Sequence, residues 1–111
     1  MPDKSNKNEI INFPETPSIN INLGLKHCNK NQALYYKVLN NFVKRYNEID
    51  LSSLSEEELK RTIHSLKGLT ATLGMTQLHE ILCDLEIDVN ETNINNFLNE
   101  LKIICQNILT I

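Results

Sequence analysis

The stretch SEEELKRTIHSLKGLTATLG, residues 55–74, decides how this chain folds. Ser55 and Glu58 stand in the S-x-x-E spacing of a capping box, in which each side chain bonds the other's backbone N–H. Glu56 and Glu57 add negative charge where the helix dipole is positive. Beyond them Leu59, Ile63, Leu66, Thr70 and Leu73 recur at helical spacing, and Gly74 is a natural stop. On a wheel of about 100° per residue, Leu59, Ile63, Leu66, Leu69, Thr70 and Leu73 all lie roughly 100–180° from His64. If that stripe faces a core, His64 faces water.

Outward from this helix the same period continues. Downstream, Leu78, Ile81, Leu82, Leu85 and Val89 define a helix starting at Met75 or Thr76, and Asn90–Asn93 reads as a turn. Ile94, Phe97, Leu98, Leu101, Ile104, Cys105 and Ile108 define a final helix. Upstream, Asn31 is a good N-cap for a helix carrying Tyr35, Val38, Leu39, Phe42, Tyr46 and Ile49, interrupted at Asp50–Leu54. Asn20–Cys28 has the makings of a short helix, with Ile21 and Leu25 one turn apart. Pro2, Pro14 and Pro17 are the only prolines of the chain, so nothing after residue 17 breaks a helix by proline. The expectation is all-α: an antiparallel up-down four-helix bundle over residues 19–111, with a short N-terminal helix and an extended or disordered polar tail or linker over 1–18.

Bulk properties exclude several classes. At 111 residues the chain suits one domain, able to bury roughly two thirds of its unfolded surface. A net charge of -3 offers no basic field for nucleic acid. No apolar run approaches the ~20 residues of a membrane span. The polar first twelve residues lack the apolar segment of a secretory signal. Cys28, Cys83 and Cys105 make an odd count with no C-x-x-C, and two of them fall in apolar helical patterns, as reduced cytosolic thiols do.

On the outer face around His64 stand Glu57, Lys60, Arg61, Lys67, Gly68 and Ala71. Lys67, at i+3, can reach the same spot as the imidazole. Gly68, at i+4, costs about 1 kcal/mol against alanine in a helix interior, so it needs a reason. Clearing the side chain at that position lets a bulky group approach the ring. Neutral imidazole is a good nucleophile near pH 7, and a phosphoimidazole would carry negative charge beside Lys67. Competing readings stand beside this one. Lys60 and Arg61 also fit an ordinary solvated face, with Glu57 and Arg61 paired at i,i+4. His79 and Cys83 have metal-ligand spacing but no second pair nearby, which favours ordinary boundary residues. Ser65 points ~100° from His64, so no Ser–His dyad arises.

His64-Ser65-Leu66-Lys67-Gly68, followed by Leu73-Gly74 and Leu78, resembles the H-x-L-K-G-x(4)-L-G-x(3)-L signature of histidine phosphotransfer (HPt) domains. Leu23-Gly24-Leu25, Asn31, Leu34-Tyr35, Leu39 and Phe42 are similar to that family's first helices, and Leu85-Glu86 to its third-helix ending. The resemblance spans about residues 20 to 110. One departure is Leu69, where the family often has a small residue; the wheel sets it at the core edge, as a packing variation. The resemblance implies that His64 is the phosphoacceptor, Lys67 its charge-stabilising neighbour and Gly68 the residue that leaves access. It implies reversible exchange with the aspartate of a response-regulator receiver domain in a two-component phosphorelay, with Lys60, Arg61, Ala71 and Met75 as docking residues. The chain would be a carrier that neither binds ATP nor phosphorylates itself. It would bind no cofactor or metal, and the magnesium would come with the receiver. The implied setting is a cytoplasmic monomer, free-standing or the C-terminal part of a hybrid sensor kinase tethered to a membrane; the linker-like first 18 residues favour the latter. The alternatives are a non-catalytic helical adaptor and a helical enzyme or metalloprotein.

Overall fold

The computed structural model describes residues 11–111 and is all-α. Five α-helices follow one another: α1 Ile21–His27, α2 Gln32–Tyr46, α3 Glu56–Leu73, α4 Thr76–Ile87 and α5 Glu91–Leu109, with a 3-10 turn at Leu51–Ser53 between α2 and α3. Helix α3 packs on α4, α4 on α5, α5 on α2, and α1 lies against α3 and α2. These neighbour relations are compatible with a four-helix bundle of α2 to α5, with α1 as an added short helix.

Four of the five helices start where an oxygen-bearing side chain satisfies a free N–H group of the first turn. Asn20 accepts from Leu23 N, Asn31 from Leu34 N and Asn90 from Asn93 N. At α3 the full capping box is present, with Ser55 N donating to Glu58 Oε1 and Glu58 N to Ser55 Oγ. Only α4 lacks a side-chain cap; its N-cap is Met75.

The apolar stripes meet in one core. Tyr35, Leu39, Phe42 and Tyr46 of α2, Ile63, Leu66 and Leu73 of α3, Leu78, Leu82 and Leu85 of α4, and Phe97, Leu101, Ile104 and Ile108 of α5 are buried. Thr70 is buried among them, its hydroxyl donating to the Leu66 carbonyl 2.8 Å away, so the polar group is satisfied within its own helix. Leu69 is half-buried and packs on the core.

The C-terminal end of α3 is closed by an unusually complete set of partners. A helix leaves its last carbonyls without N–H groups of its own. Met75 N reaches Thr70 O at 2.9 Å and Gly74 N reaches Ala71 O, the crossed pair of a Schellman ending, with Gly74 at φ 81°. The next three carbonyls are taken by other elements. His27 Nδ1 lies 2.8 Å from Thr72 O, the Tyr35 hydroxyl 2.8 Å from Leu73 O, and Asn20 N 2.7 Å from Gly74 O. Because a carbonyl only accepts, the proton of His27 is assigned to Nδ1. A Cβ on Gly74 would collide with the Asn20 carbonyl oxygen, and one on Gly24 with the Tyr35 ring.

Several expectations are corrected here. Helix α4 ends at Ile87, and Val89 is exposed at 49%: Asp88 leaves the helix in an extended conformation, taking Val89 off the apolar face. The expected turn Asn90–Asn93 is shorter, because Asn90 caps α5 and the helix begins at Glu91. Leu98 is exposed at 38%, since Phe97 and Leu101 fill the core at its level. The expected linker falls partly on residues 1–10, outside the described residues. Its remainder, residues 11–18, is docked, with a turn at 17–18 closed by a bridge from Thr16 to Ile19: the Phe13 ring lies 5.3 Å from that of Tyr35, Ser18 is buried, and Asn107 Nδ2 donates to Thr16 Oγ1. Of the cysteines, Cys28 and Cys105 are buried and Cys83 is half-buried; all three are free thiols. Burial pushes the Cys105 thiol up to about 11.

Burial also raises the pKa of Tyr35, so its hydroxyl stays a donor at ordinary pH. Replacing Tyr35 with Phe keeps the ring and strands the buried Leu73 carbonyl. Urea denaturation should show a loss of roughly 1–3 kcal/mol. A smaller loss than the Tyr36→Phe control would mean that this bond contributes nothing.

Candidate functional site

The site is built on α3, whose capped start and closed end fix its rotation about its own axis. With Ile63, Leu66, Thr70 and Leu73 turned inward, His64 is exposed, as the wheel requires. Lys67 and Gly68 follow one turn along. A Cβ built on Gly68 would meet no atom within 4 Å. The glycine therefore leaves open surface, and nothing in the folded chain requires it. Lys60, Arg61 and Ala71 are exposed on the same helix.

Met75 is a correction. Its relative exposure is 0%, because as the residue after Gly74 its backbone closes α3 and its side chain drops into the core. It cannot present a docking surface.

Lys67 is not free. Its Nζ lies 2.7 Å from Glu86 Oε1 on α4, with the two side chains 27% and 42% exposed. The Glu86 carboxylate, chiefly through this hydrogen bond, holds the Lys67 ammonium above the ordinary lysine value. Reciprocally the bond to Lys67 holds the Glu86 carboxyl below its ordinary value, with a further contribution from His64. The sequence pattern had set Glu86 only at a helix ending; its role depends on packing across α3 and α4, which periodicity within one helix does not reveal.

Beneath Lys67 the backbone is tied to α4. His79 Nδ1 lies 3.0 Å from the Lys67 carbonyl, which also accepts from Thr70 Oγ1 at 3.1 Å. The acceptor assigns the proton to Nδ1, leaving Nε2 to receive from the Cys83 thiol, 3.8 Å away. His79 and Cys83 are boundary residues between helices. Among the described residues no group of three or more His, Cys, Asp or Glu is placed to hold a metal ion. Also among them, no helix is long and apolar enough to cross a membrane.

In sum the structure brings His64, Lys67, Gly68 and Glu86 to one exposed region over α3 and α4, with Lys60, Arg61 and Ala71 exposed on α3. What this can do chemically is limited and definite. An accessible imidazole can attack an electrophile, a nearby cation can offset developing negative charge, and open surface lets a large donor approach. No family model, curated protein or solved structure matches this chain.

The ion pair has a pH window. Glu86 has a lowered pKa, so its share of the pair is present above 4.5 and lost as pH falls through the lowered value. Lys67 has a raised pKa, so its share is present below 10.5 and lost as pH rises through the raised value. Carbon-detected NMR titration of Glu86 should give a midpoint below 4.5, and Lys67→Met should move it up toward that value. An unchanged midpoint would show that the pair does not form in solution.

Proposed function

We propose that this chain is a histidine phosphocarrier of the HPt type, passing a phosphoryl group between His64 and the aspartate of a response-regulator receiver domain. The observation that carries the reading is the exposed His64 imidazole with Lys67 one turn away and open surface at Gly68. The H-x-L-K-G-x(4)-L-G-x(3)-L pattern and the all-α fold support it.

In the transfer a neutral imidazole nitrogen of His64 attacks the phosphorus of an aspartyl phosphate. The N–P bond forms as the acyl O–P bond breaks, and the carboxylate leaves. The proton on the other ring nitrogen stays with the ring or passes to water. Lys67 offsets the negative charge of the phosphoryl oxygens. Phosphoryl transfer asks for position and electrostatics more than covalent machinery, and a magnesium ion brought by the receiver supplies charge neutralisation. Lys60, Arg61 and Ala71 lie where a receiver that reaches His64 would touch α3. The chain would act in the cytoplasm, on its own or tethered to a sensor kinase, with the helices arranged as an antiparallel four-helix bundle.

Incubation with a small-molecule phosphodonor or a phosphorylated receiver should leave an acid-labile, base-stable label, and His64→Gln should abolish it. A helical adaptor that merely docks a partner would take no such label in either form. Gly68→Gln should keep the fold, because the added side chain has room and helix propensity improves by several tenths of a kcal/mol. It should cripple transfer by standing over the imidazole. A lower melting temperature with transfer intact would remove the steric account of this glycine.

A further inference from the structure

The Lys67–Glu86 pair poses a question for the phosphocarrier reading, on which this inference rests. A lysine that stabilises a phosphorylated His64 must be available to it, yet its ammonium already sits 2.7 Å from a carboxylate on the neighbouring helix. One ammonium has three protons to donate but lies in one place. Glu86 is 42% exposed and lies in the last turn of α4. It faces no other cation within ion-pair distance among the described residues. The carboxylate cannot itself help a phosphoryl group, since both are negative.

We propose that Glu86 is a positioning residue that holds Lys67 in the resting state and competes with the phosphoryl group for it once His64 is phosphorylated. Phosphorylation moves the ammonium from Glu86 toward the phosphoryl oxygens, and loss of the phosphoryl group returns it. The competition lowers the gain from Lys67, so the phosphoryl group is held less tightly than a free lysine would hold it. A carrier that must also give up its cargo benefits from that weakening. The ion pair is partly exposed, so the effect is a small factor, not an on–off switch.

Phosphoryl exchange with free imidazole tests this on the full 111-residue chain. Phosphoimidazole donates to His64: its N–P bond breaks, a new N–P bond forms on the ring of His64, and imidazole leaves. The reaction runs both ways, so the ratio of labelled to unlabelled protein at set concentrations of both imidazoles gives an equilibrium constant. Glu86→Gln should raise that constant about two- to fivefold, in keeping with the worth of exposed ion pairs. Lys67→Met should lower it. In the Lys67→Met background, the Glu86→Gln gain should shrink or vanish. Melting temperatures recorded alongside should stay close to the parent, because both side chains are partly exposed.

The outcomes separate the two claims. No label on the parent chain, or equal label on His64→Gln, defeats the phosphocarrier reading itself. Label at His64 with an unchanged or lowered constant in Glu86→Gln overturns the competition. A gain that persists undiminished without Lys67 also overturns it, since Glu86 would then be acting on the imidazole or the phosphoryl group directly.

Discussion

The closed C-terminal end of α3 is the constraint from which the rest of the structure follows. Five successive carbonyls, Thr70 to Gly74, are each taken by a donor, and the last three donors come from Asn20, His27 and Tyr35 in other elements. A buried carbonyl left unpaired, as that of Leu73 would be, is expensive, and together these bonds hold α1, α2 and α3 at one junction. Two glycines make the approach possible. At Gly74 a Cβ would strike the Asn20 backbone, and at Gly24 it would strike the ring whose hydroxyl reaches Leu73. The junction fixes where α3 ends and how it is rotated. His64 stands nine residues before Leu73, about 14 Å along the axis, and a helix is stiff over that length. The direction of the imidazole is therefore decided at the junction and along the buried stripe, far from the ring itself.

Between the junction and the histidine, polar groups at the α3–α4 interface are arranged without leaving a buried donor idle. Thr70 bonds back along its own helix, and His79 reaches across to the Lys67 carbonyl. These contacts hold the Lys67 backbone still while its side chain remains at the surface. A long, flexible cation on a fixed backbone can change partners at little structural cost, since only its own rotamers move. Electrostatic adjustment at this site can thus be confined to two side chains.

Much of the fold was legible because each helix announces its own buried face. The Ser55–Glu58 box, the cap at Asn31, the stop at Gly74 and the phase of His64 depend on residues within one or two turns of each other. What was not legible depends on partners far apart in the chain. Glu86 meets Lys67 across 19 positions, Tyr35 meets Leu73 across 38, and His27 meets Thr72 across 45. Periodicity assigns a face to a residue but does not say which neighbour it will find there. Met75 was misplaced for a related reason. The resemblance set it among the docking residues, but only Gly74 and Met75 join α3 to α4, and so short a link between packed helices drives its side chain inward. Residues 11–18 looked like a linker by composition, yet Phe13 packs against the core and Thr16 accepts from Asn107, contacts that lay the segment against the helices.

The three glycines carry the distinction between what folding requires and what it does not. Gly24 and Gly74 sit where any side chain would collide, so packing alone accounts for them. Gly68 sits in the middle of an 18-residue helix, with regular geometry around it and nothing near its missing side chain. Folding would favour alanine there by about 1 kcal/mol. A residue that weakens its helix without relieving any contact inside the molecule points to something outside it. His64 stands one turn before it, so under the proposed phosphocarrier function the open surface at Gly68 is space for the group that the imidazole must meet.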